Sequence, residues 1–502
     1  MANPLYEALF APHLNAESVF LHLPDGTDVT HGAFLRRAAQ FAHSFCVLGL
    51  RPGDRVAVQI DKSPDALAVY AACVQTGLVF LPLNTAYTAA ELDYFISNSG
   101  AGLVLSGSAK AGDVGAVANT HKAKHLTLDA DGTGGLAALA DMQPGTFVPV
   151  DRDADDLAAI LYTSGTTGRS KGAMLSQRNL LSNAEVLKDA WQFTDQDVLL
   201  HGLPIYHTHG LFVGTNITLL AGGSMIFLPG FDLDTLIRFM PRATALMGVP
   251  TYYTRLLGDN RFDAKLAQNM RLFVSGSAPL LAETHQAFET RTGHRILERY
   301  GMTETNMSTS NPYSGDRRPG TVGRMLPGVD GKVCDPEGRE LPRGEIGILE
   351  VRGDNVFKGY WQMPEKTAAE LRDDGFFITG DLAVMGEDDY VTIVGRGKDL
   401  IICGGLNVYP KEVEEALDAL PGIIESAVIG VPHPDMGEGI IAVLAAPSDL
   451  NLDDVAGKLA QNLARFKQPR HYVIVDALPR NTMGKVQKAA LRTEFATWFT
   501  SK

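Results

Sequence analysis

Tyr162 to Gly172 read YTSGTTGRSKG, and these residue types suit one task, the holding of phosphate. Glycines let backbone N–H groups turn inward without side-chain bulk, and Ser and Thr hydroxyls add further donors. Lys171 supplies a positive charge at the end of the run. ATP is therefore the expected ligand, with Thr163, Ser164, Gly165, Thr166, Thr167, Gly168 and Lys171 as its phosphate contacts. The spacing excludes an ordinary P-loop NTPase. A Walker loop reads G-x-x-x-x-G-K-[ST], whereas here Gly168 is followed by Arg169 and Ser170 before Lys171.

The elements that must position this loop are legible around it. The apolar run Leu157 to Tyr162 enters it as a strand, and Ser176 with Leu180, Leu181, Ala184 and Leu187 leaves it as an amphipathic helix. Similar alternation runs from residue 1 to about 396, for example Arg55 to Ile60 as strand, Ala66 to Gln75 as helix and Leu103 to Ser106 as strand. That pattern predicts layered α/β structure. A second glycine-rich zone, Val394 to Pro410, precedes a segment with its own apolar pattern. It has helices after Pro410 and around Val455, Leu459 and Leu463, and strands at Ala427 to Val431, Ile440 to Ala445 and Tyr472 to Val475. The expected division is 1–397 and 398–502, although 502 residues alone would suit about three average domains.

Several separated segments carry one resemblance. They are YTSGTTGRSKG, PIYHTHG (Pro204 to Gly210), RYGMTET (Arg299 to Thr305), GEIG (Gly344 to Gly347), TGD (Thr379 to Asp381), VGRGKD (Val394 to Asp399) and PRNTMGK (Pro479 to Lys485). In this order they resemble the adenylate-forming superfamily of acyl-CoA synthetases, adenylation domains and luciferases. The resemblance covers nearly the whole chain. It implies a large N-terminal domain of layered α/β subdomains and a small mobile C-terminal α/β domain.

The implied chemistry is a carboxylate attacking the α-phosphate of ATP, followed by transfer of the acyl group to a thiol. Two anions meet in the first step, so cations and placed donors matter more than a general base. By resemblance, Glu304 binds Mg²⁺, Thr303 donates to the α-phosphate, Tyr300 lies against adenine, and Asp381, supported by Arg396, accepts from the ribose hydroxyls. Lys485 serves adenylation, with Lys488 as its competitor. His207 gates the acyl pocket, Gly404 and Gly405 admit the pantetheine arm of CoA, and Lys398 is the hinge.

Arg299 stands where fatty-acid activators of this superfamily carry glycine. An arginine there fills the space of a long alkyl chain and offers a fork to a second carboxylate. A salt bridge to Glu298 or Glu304 is its competing reading. Arg255 is a second candidate for the same anion, and Ser277, in the Gly276 to Pro279 wall, can hydrogen-bond the acid and border adenine. Within the superfamily the chain resembles the malonyl-CoA synthetases, including those that accept methylmalonate. The expected substrate is thus a small dicarboxylic acid, used with ATP, Mg²⁺ and CoA. A freestanding carrier-protein loader and a non-catalytic nucleotide sensor are the other readings.

Composition narrows the partners. A net charge of −14 argues against a general nucleic-acid or anionic-membrane surface. Cys46, Cys73, Cys334 and Cys403 lack metal or redox spacing, and no leader pattern or long apolar run appears, so a cytoplasmic chain with reduced thiols is expected. His201, His207 and His209 have no acidic or thiol neighbour in sequence and read as pocket and structural residues rather than a metal cluster. A lysine acyltransferase acting on Lys485 is an expected regulatory partner, because acylation would remove a required charge.

Overall fold

A computed structural model describes residues 3–163, 170–403, 406–481 and 484–500. Two largely parallel sheets form the bulk of the N-terminal part. The first runs, edge to edge, Lys124–Thr127, Leu103–Ser106, Arg55–Gln59, Val79–Pro82, Leu157–Thr163 and Lys171–Ser176. Its central strands are buried along their length, as parallel strands covered by helices on both faces must be. Helix Pro64–Thr76 shows the local causes: Ser63 caps it through the Ala66 N–H, Pro64 starts it, and Gly77 ends it in left-handed conformation.

The phosphate-loop setting differs from the expected strand, loop and helix. Thr163 and Lys171 are partners in an antiparallel pair, so the loop joins two strands, and helix Gln177–Ala190 begins only after Ser176. The short segment KGAMLS carries too few residues for a clear strand period, and pairing with the strand before the loop decides it.

The second sheet contains the parallel strands Leu297–Met302, Leu272–Ser275, Ala245–Gly248, Val198–His201, Ser224–Phe227 and Val19–His22, with antiparallel strands at both edges. After Met325 the alternation stops. Val329–Cys334, Gly347–Gly353, Phe377–Met385 and Val391–Arg396 form an antiparallel sheet joined by loops and one short helix, Pro364–Glu370. The α/β expectation holds for the chain as a whole and misses this all-antiparallel unit.

The C-terminal part builds a sheet from Ile401–Cys403, Leu406–Val408, Glu425–His433, Gly437–Ala445 and His471–Val475, covered by helices Pro410–Asp418 and Leu452–Asn462. Apolar clusters on its two faces draw only on residues after 400. One contact back to the preceding sheet is polar: Lys411 Nζ donates to the Ile393 carbonyl at 2.6 Å, and Arg492 pairs at 2.6 Å with Asp399 in the turn that follows that sheet. Among the described residues, no helix is long and apolar enough to cross a membrane.

Candidate active site

The carboxyl ends of the parallel strands converge on one cleft, where open α/β sheets place their ligands. The strand ending at Ser275 delivers Gly276 and Ser277, that ending at Met302 delivers Thr303 and Glu304, and that ending at His201 leads into PIYHTHG. Gly301 is dictated by a close approach: a Cβ there would lie 1.8 Å from the Asn306 carbonyl oxygen. Ser277 has φ +70, a conformation that costs a non-glycine residue free energy and recurs at functional sites.

Tyr300, Asp381 and Arg396 meet as a unit. Asp381 and Arg396 are direct partners across two antiparallel strands, which accounts for their 2.7 Å ion pair. The Tyr300 hydroxyl donates to the other Asp381 oxygen at 2.5 Å. Burial raises the pKa of Asp381, and Arg396 leads the groups that work against the rise.

Beside them, Glu304 is buried and accepts a hydrogen bond from Tyr360 at 3.0 Å. Burial raises its pKa, against the pull of Lys171 and Arg396. A buried carboxylate within electrostatic range of Lys171 is a hard oxygen donor of the kind Mg²⁺ prefers. One such carboxylate fits an ion that takes most of its oxygens from phosphate and water.

Arg299 is 3% exposed, and its Nε and Nη2 have no hydrogen-bond partner among the described residues. Its guanidinium rests against the backbone of Gly276, where a Cβ would lie 2.4 Å from Cζ. Neither Glu298 nor Glu304 forms an ion pair with it: Glu298 lies 3.5 Å from His285, and Glu304 accepts from Tyr360. The salt-bridge reading therefore fails. Burial lowers the Arg299 pKa to about 9, with Tyr253 working the other way.

A cavity of about 850 Å³ is lined by His207, His209, Ser277 and Gly484 together with apolar groups that include Phe227 and Tyr252; Arg299 is not among its lining residues and lies behind Gly276, the neighbour of Ser277. Arg255 does not join Arg299. It is exposed on helix Pro250–Leu257 and lies over the Phe231 ring, 5.1 Å from its centroid. The helical period directs its side chain outward, while Tyr252 and Tyr253 turn inward.

The three histidines have separate tasks. His201 Nδ1 contacts Lys62 Nζ at 2.8 Å and its Nε2 contacts the Gly210 carbonyl at 2.8 Å. Lys62 also donates to the carbonyls of His201 and Leu203, fastening the start of the PIYHTHG loop. His209 Nδ1 lies 3.4 Å from the Ser277 hydroxyl. His207 borders the cavity, and burial, then Lys485 and Arg299, lower its pKa to about 3. Protonation would add a third positive charge to those two, so the imidazole stays neutral at working pH. In the unliganded protein its Cε1–H NMR shift is expected to stay constant between about pH 5 and 8; a midpoint near 6.5 would contradict this.

Lys485 is exposed as a residue, but its ammonium end reaches into the cleft. Burial and the Arg396 charge lower its pKa, with Asp381, Glu304 and Arg299 also within electrostatic range. Its competitor Lys488 is paired instead with Glu414 at 2.6 Å. Lys398 occupies the short turn Gly397–Asp399 between the two parts. Ser164, Gly165, Thr166, Thr167, Gly168, Gly404 and Gly405 lie outside the described residues; Thr163 and Lys171 flank the first group, Cys403 and Leu406 the second.

Residues 11–361 match the AMP-binding enzyme family, and residues 412–485 match the AMP-binding enzyme C-terminal domain. The chain belongs to the AMP-binding enzyme family. Its fold agrees with ATP-bound MatB from Rhodopseudomonas palustris at a TM-score of 0.98 and 55% identity, over 99% of this chain and 100% of that one. The apo form of that protein, at the same identity, gives a TM-score of 0.86. A malonate–CoA ligase from Arabidopsis thaliana is 34% identical over 88% of this chain and 78% of its own length. A feruloyl-CoA synthase from an Amycolatopsis species is 35% identical over 98% of both. AMP-binding enzymes with similar overall identity are thus named for a dicarboxylic and an aromatic acid, so the acid must be read from the pocket. Tyr360, Glu370 and Lys62 escaped the sequence reading. A tyrosine after Gly359 is a weak signal, and the lone Lys62 and Glu370 give none.

Proposed function

We propose that this AMP-binding enzyme is an ATP-dependent acid:CoA ligase whose acid is malonate or a close relative. One observation carries the choice of acid: a buried guanidinium, unpaired among the described residues at Nε and Nη2, packed against Gly276 behind the cavity-lining Ser277. An unpaired buried charge is costly, and a second carboxylate on the substrate would complete it. The name of the Arabidopsis relative supports the same acid.

In the first step a malonate carboxylate oxygen forms a bond to the α-phosphorus, and the bond from that phosphorus to the β-phosphate oxygen breaks, releasing pyrophosphate. Lys485 and Thr303 would offset charge on the α-phosphate, while Asp381 with Arg396 orients the ribose and Tyr300 lies by the base. Thr163 to Gly168 and Lys171 would hold the departing phosphates. Mg²⁺, when bound at Glu304, would screen the triphosphate charge. In the second step the CoA sulfur attacks the acyl carbon, AMP leaves with the bonding pair, and the thiol proton passes to solvent. Neutral His207 leaves the sulfur's approach free of a titrating acid, and Ser277 steadies the acid. Gly404 and Gly405 would border the pantetheine arm.

The proposed domains are 1–397 and 398–502, with the smaller turning about Lys398 between steps. Separate apolar cores and the polar Lys411 contact with Ile393 between them support this. A lysine acyltransferase acting on Lys485 would need the small domain turned away, since the ammonium end lies in the cleft.

Pyrophosphate release across malonate, methylmalonate, acetate and butyrate tests the reading. A charged hydrogen bond left unmade costs about 1.5–3 kcal/mol, so malonate is expected to exceed butyrate in kcat/KM by about tenfold to a hundredfold. Comparable values for the two would refute it.

A further inference from the structure

Lys171 closes the phosphate loop, yet its ammonium already faces an anion. Glu370 Oε2 lies 3.2 Å from Lys171 Nζ, and the two side chains are 23% and 18% exposed. The same ammonium sits over the Tyr360 ring, 4.1 Å from its centroid. The Tyr360 hydroxyl lies 2.7 Å from Glu370 Oε2 and 3.0 Å from Glu304 Oε1. One O–H has a single proton to donate, so the two carboxylates share one donor. Lys366 holds the other oxygen of Glu370 at 2.6 Å.

We infer that Glu370 is a built-in competitor for Lys171, holding the ammonium that a nucleotide phosphate needs and thereby setting the affinity for ATP. This rests on the assignment of Lys171 to the ATP phosphates. Glu370 is suited to such an exchange because it is not stranded by it: Lys366 and the Tyr360 proton remain as partners when phosphate takes Lys171. The partial burial of the pair leaves it less screened than a surface contact, so its charge is felt by an incoming anion. Tyr360 carries the effect inward, since a proton given to Glu370 is withdrawn from Glu304.

Calorimetric binding of ATP and of pyrophosphate, in chelator and on the full chain, tests the competition. Glu370→Gln keeps the shape and an acceptor for Tyr360 but removes the charge. It is expected to bind both ligands about fivefold tighter, the size of one partly screened charge contact. Lys366→Gln should do the opposite, weakening both about two- to fivefold, because Glu370 then has Lys171 as its remaining cation. Opposite signs distinguish competition from a structural role, which would weaken binding in both. Unchanged or weaker binding in Glu370→Gln at unchanged Tm overturns the inference. Were that variant unstable, unchanged or tighter binding in Lys366→Gln would overturn it. If Lys171→Met binds ATP as the parent does, the assignment of the loop fails instead, whatever Glu370 does.

Discussion

Lys485→Ala is expected to lower formation of the acyl-adenylate by about a hundredfold to a thousandfold, the scale on which a single placed donor stabilises a charged transition state. The Lys485 ammonium lies within electrostatic range of Arg396, Asp381, Glu304 and Arg299, and its turn is held by hydrogen bonds between Asn481, Gly484 and Lys485. Those bonds involve backbone atoms of Lys485, so truncation leaves the turn intact. Pyrophosphate release with malonate measures the first step. Thioester formation from preformed malonyl-adenylate measures the second, and should stay near the parent rate, since the small domain would turn away before that step. ATP-dependent activity at the parent level would remove Lys485 from the mechanism.

Arg299→Met is expected to cost about a hundredfold to several thousandfold in kcat/KM for malonate, because the distal carboxylate would then be buried without a partner, a loss of about 3–5 kcal/mol. Butyrate should be unharmed or improved, so the preference between the acids is lost or reversed. The variant should also be more stable. Nε and Nη2 of Arg299 lack partners among the described residues, and removing an unpaired buried donor relieves about 1–3 kcal/mol. A higher Tm together with lost malonate selectivity is a pair of outcomes that simple misfolding does not produce. Arg299→Lys keeps the charge without the planar fork and should fall between. An unchanged ratio of malonate to butyrate would show that Arg299 does not read the acid.

How legible the molecule was depended on whether the signal was local. Strand Leu103–Ser106 and helix Pro64–Thr76 follow from apolar period and capping residues, both within a few positions in sequence. The strand Lys171–Ser176 did not, because its reason is a partner across the loop. The antiparallel unit from Val329 to Arg396 was missed for a similar cause: its short strands are specified by pairing rather than by their own period. Arg255 shows the limit from the other side, since sequence places it near the pocket and helical phase turns it away.

By itself the sequence determined a loop rich in glycine and hydroxyl groups from Tyr162 to Gly172, the order of the segments that carry the resemblance, membership of the AMP-binding enzymes and an arginine before the Tyr300–Gly301 pair. Those properties are written in residue types at short spacing. Only the tertiary structure decided that Arg299 is buried and short of partners, that Asp381 and Arg396 face each other across a strand pair, and that Lys171 is held by Glu370. The reason is physical: desolvation, charge pairing and register depend on groups distant in the chain, and no local pattern encodes which of them will meet.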